Sequence, residues 1–424
     1  MGATTLPYGS PQAITLQSAG LFAANMQRNT TLNRLTGKMP QQADAEGTIR
    51  KQSSKTMPIV RAVDLAKGAG DEITFDLINP LGGKPIMGGD YAEGRGRALS
   101  FSQDKLRINQ SRYPISAGDT MTQQRTPHEI RSLARAHGQA YMDRLGDQSI
   151  LTHLAGARGF HNNVTWAVPL ASDPEFSSIL VNPVKAPTKN RHFISTGSGI
   201  ELLPVGGGEV TIANTDVFNM DVVDAIRVAC ENMPLPPPPV EFEGDMASTD
   251  APLRVLLVSP DQYAAFVQSS NFRTLQANAM ARAQQAKMNP LFMGEAGLWN
   301  GILIVKMPKP IRFYPGDAIK YCASYTSETE SSAIVPAAFG AGYAVDRAIL
   351  LGGQALAEAW GKHGKSGSPF FWSEKELDHG DKLEILVGAI NGRSKIRFDI
   401  DHGDSKQFTD YGVTVIDTAV KLSA

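Results

Sequence analysis

Alternating apolar and polar residues predict a long β-hairpin over residues 71–115. In its first arm, DEITFDLIN, the apolar residues Ile73, Phe75 and Leu77 alternate with polar ones, which is the pattern of a half-buried strand. The returning arm has four apolar residues that do not share one face: Leu99, Phe101, Leu106 and Ile108. A β-bulge near residues 103–105 would produce that change of face.

A hairpin of this length needs support from another part of the structure. A nine-residue arm spans about 30 Å at ~3.3 Å per residue. An isolated ribbon of two strands is marginal in water and offers unpaired edges. Its tip, residues 79–97, is rich in glycine and too polar to build a core. The ribbon must therefore lie on its own domain or on a neighbouring copy of the chain.

A repeat of three to four residues predicts a long helix over residues 127–156. Thr126-Pro127-His128-Glu129 has the composition of a capping box, which satisfies the first free N–H groups of a helix. Seven residues at helical steps then predict one buried stripe: Ile130, Leu133, Ala134, His137, Tyr141, Leu145 and Leu154. Gly138 and Gly146 each cost ~1 kcal/mol relative to alanine, so tertiary packing must hold this helix.

The middle of the chain predicts a mixture of loops, short helices and buried strands. Residues 158–215 are rich in glycine, proline and asparagine and predict a lobe of loops, with SSILV and EVTIA as short strands. A second helix is predicted over 221–232, and the PLPPPP that follows favours a stiff connector over a ligand for a proline-binding domain. LRVLLV and GILIVKM predict buried strands, and Ser259 predicts a helix cap after the first of them.

The C-terminal third predicts β structure. KLEILVGAI and SKIRFDI flank Asn391-Gly392-Arg393, and Asn-Gly is a strong hairpin turn, while YGVTVIDTAV predicts a further strand. The tetrapeptide Asp-His-Gly-Asp occurs at 378–381 and again at 401–404. Its aspartates and histidine could hold a cation. We favour turns, because both copies follow predicted strands and these residues tolerate positive φ.

Composition narrows the class of protein. With 42% apolar and 20% charged residues, the chain belongs with soluble globular proteins. A net charge of −1 argues against a protein built mainly to bind nucleic acid. Two cysteines provide neither a disulfide framework nor a zinc cluster and fit folding in a reducing cytoplasm. The sequence has no signal-peptide pattern and no apolar run of ~18 residues, so we expect no membrane contact.

The first seventy residues carry eight basic and three acidic side chains. This excess is typical either of an arm that crosses neighbours or meets a polyanion, or of a solvated terminus, and charge alone favours the terminus.

No residues suggest catalysis, cofactor binding or metal binding. The chain has no HExxH, GxSxG or Walker motif, and GSGIELLPVGGGE lacks the strand–loop–helix frame of a phosphate-binding loop. His128, His137 and His153 are spaced too far apart to meet on one helical face. We therefore predict no enzyme activity, no cofactor and no small-molecule substrate.

One extended segment carries a family resemblance. It is NPLFMGEAGLWNGILIVKM, beginning at Asn289, with APTKNR upstream at 186–191 and LLGGQAL downstream at 350–356. With IRFDIDHGD and TDYGVTVIDTA near the end of the chain, these landmarks resemble, in order, the major capsid proteins of N-four-like tailed phages. The resemblance covers the chain from about residue 57 onward and is weaker over 158–215.

The resemblance implies an α+β fold, the Hong Kong-type phage capsid fold with an N-terminal arm, an extended β-hairpin loop, a spine helix in a peripheral domain, and an axial α/β domain. Carried over to this numbering, the divisions are an arm at 1–56, an extended loop at 57–126, a spine helix at 127–157, an insertion at 158–215, an axial domain at 216–335 and a returning peripheral domain at 336–424.

The function that follows is structural. We expect a major capsid protein that assembles into pentamers and hexamers of an icosahedral head around double-stranded DNA, which it contacts without sequence specificity. The expected partners are copies of itself, a portal, and scaffold or decoration proteins; the expected location is the virion, assembled in the host cytoplasm. The alternatives are an encapsulin-type compartment or an enzyme without a recognisable site. The predicted inter-subunit contacts are Phe75, Leu77, Leu99, Phe101, Arg95 and Arg97.

Overall fold

A computed structural model describes most of the chain. The described residues are 56–62, 70–78, 84–89, 91, 93, 96, 101–119, 130–162, 164–233, 235–241, 253–269, 297–364, 367–401 and 406–422. Several predictions concern residues outside this set: the N-terminal arm, the capping box at 126–129, most of the tip, Leu99, Arg95, Arg97, residues 289–296 and most of the second Asp-His-Gly-Asp.

Four α-helices and twenty-one strands are found among the described residues. The helices are α1 Ile130–Ala155, α2 Phe176–Leu180, α3 Met220–Asn232 and α4 Pro260–Gln268. The strands are β1 Ile59–Ala62, β2 Glu72–Ile78, β3 Phe101–Arg107, β4 Asn109–Asp119, β5 His192–Ser195, β6 Ile200–Leu202, β7 Val205–Gly206, β8 Glu209–Val210, β9 Arg254–Val258, β10 Gly297–Trp299, β11 Ile302–Lys306, β12 Arg312–Phe313, β13 Ala318–Cys322, β14 Glu330–Ile334, β15 Tyr343–Leu351, β16 Leu356–Trp360, β17 Phe370–Leu377, β18 Lys382–Lys395, β19 Arg397–Asp401, β20 Lys406–Asp410 and β21 Val413–Lys421. No described helix is long and apolar enough to cross a membrane.

An eight-stranded sheet forms the largest layer, in the order β10-β11-β9-β15-β21-β5-β6 with β12 beside β15. Its central strands β9, β15 and β21 are buried along almost their whole length because both faces of the sheet are covered. Helices α3 and α4 pack on one face, and the C-terminal half of α1 packs on the other. The predicted strands LRVLLV and GILIVKM are confirmed as β9 and β11, and Ser259 caps α4 in a complete capping box. Residues on both sides of the predicted boundary at 335 and 336 build this one sheet.

A five-stranded sheet lies under the N-terminal half of α1. Its order is β1-β16-β18-β17, with β4 on the other side of β18. Ala134, Gly138 and Met142 bring α1 onto this sheet. A Cβ on Gly138 would lie 2.8 Å from Val387 Cγ2, so the glycine permits close approach of helix and strand. Smaller sheets are β13-β14-β8-β7, β19-β20 and the ribbon β2-β3.

The long helix is confirmed over Ile130–Ala155, but its predicted buried stripe is partly wrong. Leu133 is 47% exposed and His137 is also exposed, whereas Ala134 and Met142 are buried. The helix approaches the sheet closely at Ala134 and Gly138, and Leu133 is turned outward.

The predicted hairpin turn at Asn391-Gly392-Arg393 is wrong. These residues lie inside β18, a continuous strand in which Gly392 pairs with Ala359. A Cβ on Gly392 would lie 1.8 Å from the carbonyl oxygen of Arg107, where the chain crosses over the sheet. The glycine therefore serves a close backbone approach, a need that a local sequence pattern does not distinguish from a turn.

The prediction for the lobe at 158–215 contains one error and one omission. SSILV was predicted as a strand, but Phe176–Leu180 is the short helix α2. His192–Ser195 was not predicted, yet it forms β5 and pairs in parallel with β21 in the core sheet. EVTIA supplies only the two-residue strand β8. The turn interpretation of Asp-His-Gly-Asp is confirmed at 378–381, where Asp378, His379 and Gly380 have positive φ.

Candidate assembly surface

The ribbon of β2 and β3 is confirmed as two antiparallel arms. Its register runs without a shift from the pair Glu72 and Arg107 to the pair Ile78 and Phe101. The predicted bulge at 103–105 is therefore wrong. Leu106 and Phe101 are five residues apart, and because side chains alternate across a strand, they point to opposite faces of a regular ribbon.

The inner face of the ribbon lies on its own chain. It carries the pairs Ile73 with Leu106, Phe75 with Asp104, and Leu77 with Ser102. Its apolar residues pack against a buried cluster from β1, β16 and the region of β19: Ala62, Ala357, Ala359, Ile396, Phe398 and Ile400. Of the two supports that the sequence left open, the chain's own body is therefore the one that this face uses.

The outer face has a different character. Glu72 and Arg107 form an ion pair of 2.7 Å near the base, with side chains 35% and 69% exposed. A hydrogen bond from Arg107 holds the pKa of Glu72 below its usual value. Phe101, at the far end, is 63% exposed. Met87 and Tyr91, in the tip beyond it, are also exposed. An aromatic ring and further apolar side chains therefore project from the distal part of the ribbon.

The structure divides the predicted contact residues into two groups. Phe75 and Leu77 are partly buried on the inner face, and Phe101 is exposed on the outer face. Leu99, Arg95 and Arg97 lie outside the described residues. Sequence reasoning missed Asn182 and Lys185, which attach the ribbon to the body through side-chain hydrogen bonds. No local pattern marks them, since their partners are between about 75 and 211 residues away.

The body behind the ribbon contains buried carboxylates that are each bound by basic side chains. Asp417 accepts from Arg347 Nε at 2.7 Å and from His192 Nε2 at 2.7 Å. Asp410 accepts from Lys395 Nζ at 2.7 Å and from Arg397 Nε at 2.8 Å. Three further ion pairs repeat the arrangement: Glu358 with Arg61, Glu358 with Arg393, and Asp346 with Arg312.

Three of these carboxylates, Asp417, Asp410 and Glu358, are held ionised because neighbouring basic groups lower their pKa. Burial alone would raise the pKa of Asp410, but Arg397 and Lys395 lower it to about 2. Burial would also raise the pKa of Glu358, and Arg393 and Arg61 lower it to about 2. The groups therefore act as fixed links between strands. In the described part of the chain, no group of three or more His, Cys, Asp or Glu side chains could hold a metal ion.

Two clefts border the ribbon and its supporting sheet. One, of about 650 Å³, separates β3 from the β19–β20 pair and is lined by charged side chains of both signs. The other, of about 550 Å³, lies between α1 and β4, with Glu358, Arg61 and Arg393 in its lining. In both clefts the acidic groups are accompanied by basic ones.

Comparison with known proteins agrees with this geometry. The family model described as phage capsid protein matches residues 5–422. The capsid of Ralstonia phage GP4 is 26% identical, with a TM-score of 0.65 over 91% of this chain and 96% of that one. Among curated proteins, none matches the chain.

Two more distant structures share the fold. The cyanophage Pam1 capsid is 14% identical, with a TM-score of 0.59 over 91% of this chain and 100% of that one. The capsid of Helicobacter pylori bacteriophage KHP30 is 12% identical, with a TM-score of 0.54 over 86% and 88%. The expected mixed α+β capsid fold is confirmed. The chain belongs to the phage capsid protein family, and it is a structural protein, a major capsid protein that forms the shell of the phage head.

Proposed function

We propose that the outer, distal part of the ribbon contacts a neighbouring copy in the shell, while the inner face remains on its own chain. Self-assembly into a virion shell is the function of the family. The observation that carries the proposal is Phe101, 63% exposed at the end of a ribbon whose other face is already packed. Covering an aromatic ring this exposed with another protein surface removes it from water, which lowers the free energy.

We also propose divisions of the chain that the two large sheets support. The β2–β3 ribbon is the extended loop, and α1 is the spine helix. The five-stranded sheet under α1 is the peripheral domain, and the eight-stranded sheet is the axial domain, which faces the centre of pentamers and hexamers. Because the same surfaces must meet at slightly different angles in the two rings, a projecting ribbon suits this role.

We also propose that the chain contacts partners other than copies of itself. Packaged double-stranded DNA meets the shell through backbone charge without sequence reading, and the net charge of −1 keeps this contact weak. A portal closes one vertex, and scaffold or decoration proteins assist assembly in the host cytoplasm. We propose no specific residues for these contacts.

Two serine substitutions test the proposal because they lie on opposite faces of one ribbon. Phe101→Ser removes an exposed ring, so the unassembled chain should keep its thermal midpoint while closed shells become at least about tenfold rarer. Phe75→Ser removes a ring that packs on the body, so it should lower the thermal midpoint by several degrees. Shells are counted by electron microscopy and the midpoint is measured by circular dichroism.

The matched control is Gln103→Ser, on the same exposed face but without a ring, which should assemble normally. Normal shells from Phe101→Ser would overturn the proposal.

A further inference from the structure

Asn182 bonds the ribbon at the residue where it joins the body. Asn182 is 4% exposed and lies just after α2. The Oδ1 atom accepts from the N–H of Arg107 at 2.9 Å, and Nδ2 donates to the carbonyl of Arg107 at 2.9 Å. The same Nδ2 donates to the carbonyl of Arg393 in β18 at 3.0 Å. One amide therefore binds both backbone groups of a ribbon residue and ties them to the supporting sheet.

A second polar attachment lies three residues farther along the ribbon. Asp104, on the inner face, accepts from Lys185 Nζ at 2.7 and 2.8 Å through its two carboxylate oxygens. It also accepts from the N–H of Arg397 at 2.9 Å. Beyond it, the hydroxyl of Ser102 donates to the carbonyl of Asp399. Lys185 and Asn182 belong to the same short segment, so one stretch of the body holds two points of the ribbon.

The attachments at Arg107 and Asp104 are separated by about 10 Å along the strand at ~3.3 Å per residue. A ribbon fixed at one point can rotate about it, whereas a ribbon fixed at two points has a defined direction. A cleft of about 650 Å³ with charged side chains in its lining borders β3 and the body at these attachments. Hydrogen bonds define a direction more strictly than apolar contacts do, because their strength depends on angle.

We infer that Asn182 and Asp104 are positioning residues that fix the angle at which the ribbon leaves the body, and that this angle sets where its distal end meets a neighbouring copy. That these residues fix the angle of the ribbon is argued from contacts within one chain. That this angle guides contact with a neighbour rests on the proposed role of the ribbon in assembly. In this inference, both residues act through the direction of β2 and β3.

The test measures the direction of the ribbon within one unassembled chain. Spin labels are attached at Gln103→Cys, on the exposed face of β3, and at Lys375→Cys, on an exposed position of β17. The native cysteines, Cys230 and Cys322, are buried. Pulsed dipolar spectroscopy of the full-length chain then gives the distribution of distances between the two labels.

The wild-type background should give one narrow distribution. Asn182→Leu, which keeps the size of the side chain but removes its hydrogen bonds, should broaden it at least about twofold, and Asp104→Ala should do the same. The matched control is Asn219→Leu, which removes a helix-capping asparagine of α3 far from the ribbon. It should lower the thermal midpoint but leave the distribution narrow. If Asn182→Leu does not fold, Asp104→Ala carries the test alone.

A narrow, unshifted distribution in the folded variants would overturn the inference. In assembly reactions, the variants should give shells of mixed diameter or open sheets. Uniform wild-type shells from a variant with a broadened distribution would overturn the inference that the angle guides assembly. Failure of the underlying proposal would be distinguishable, since it appears as normal shells from Phe101→Ser whatever the distance measurement gives.

Discussion

The eight-stranded sheet and the ribbon both contain a cross-strand arginine–carboxylate pair, but the two pairs lie in opposite environments. Arg347 and Asp417 are register partners on β15 and β21 and have no exposure to solvent. Glu72 and Arg107 are register partners on β2 and β3 and are open to water. The difference indicates how the chain divides its work. In the sheet, these charged side chains are buried and paired with each other. On the outer face of the ribbon, charged and apolar side chains remain exposed and can contact a partner.

The largest expected effect comes from breaking the buried pair. Arg347→Met leaves the Asp417 carboxylate buried without the guanidinium, so it should reduce the free energy of unfolding by about 3–5 kcal/mol. The matched control, Arg107→Met, removes an exposed pair and should cost less than about 1 kcal/mol. Urea denaturation of both variants measures the two changes in the free energy of unfolding. Equal losses would contradict the difference between the buried pair in the sheet and the exposed pair on the ribbon.

Gly392 tests the contact between the ribbon base and the sheet. In Gly392→Ala the new Cβ would meet the carbonyl oxygen of Arg107 at 1.8 Å, so the crossing chain must shift. We expect a loss of about 3 kcal/mol in the free energy of unfolding. Gly364→Ala is the control, because no atom lies within 4 Å of a Cβ at that position. A neutral Gly392→Ala would show that the ribbon base is not held against β18.

Acid should weaken the body through His153, which is fully buried at the end of α1. Burial, together with nearby basic groups, lowers the pKa of His153 to about 3. The unfolded chain, with a histidine pKa of about 6.5, then binds more protons at mildly acid pH. The free energy of unfolding is therefore unaffected by His153 above about pH 6.5. It decreases as the pH drops toward 3, by up to about 1.4 kcal/mol per pH unit.

The measurement compares wild type with His153→Gln in urea melts between about pH 7.5 and pH 5. Over this range the variant should lose about 2 kcal/mol less than the wild type. His137→Gln, an exposed histidine on the same helix, should follow the wild type. Parallel pH profiles for wild type and His153→Gln would refute the assignment.

Local patterns in the sequence were sufficient for the elements and insufficient for their long-range contacts. The period-two pattern around Phe75 located the ribbon, and the Ser259 cap located α4, because both depend on neighbouring residues. Gly392 was misread as a turn because its need for a small residue comes from Arg107, far away in the chain. The outward direction of Phe101 follows from the alternation of side chains along a strand. What Phe75 packs against is visible only in the three-dimensional structure.

The attachment of the ribbon was not predictable from the sequence for a similar reason. Asn182 lies in a loop-rich segment where asparagine is common, and only the three-dimensional structure brings it to Arg107. Family resemblance supplied the fold and function that composition alone left open. It did not supply which side chains hold the ribbon.

An electron cryomicroscopy map of the assembled shell, at a resolution that shows side chains, would show what each face of the ribbon contacts. We predict that Phe101 is covered by a neighbouring copy while Phe75 still faces the body of its own chain. A shell in which Phe101 remains exposed to solvent, or in which the inner face of the ribbon leaves its own body, would contradict it.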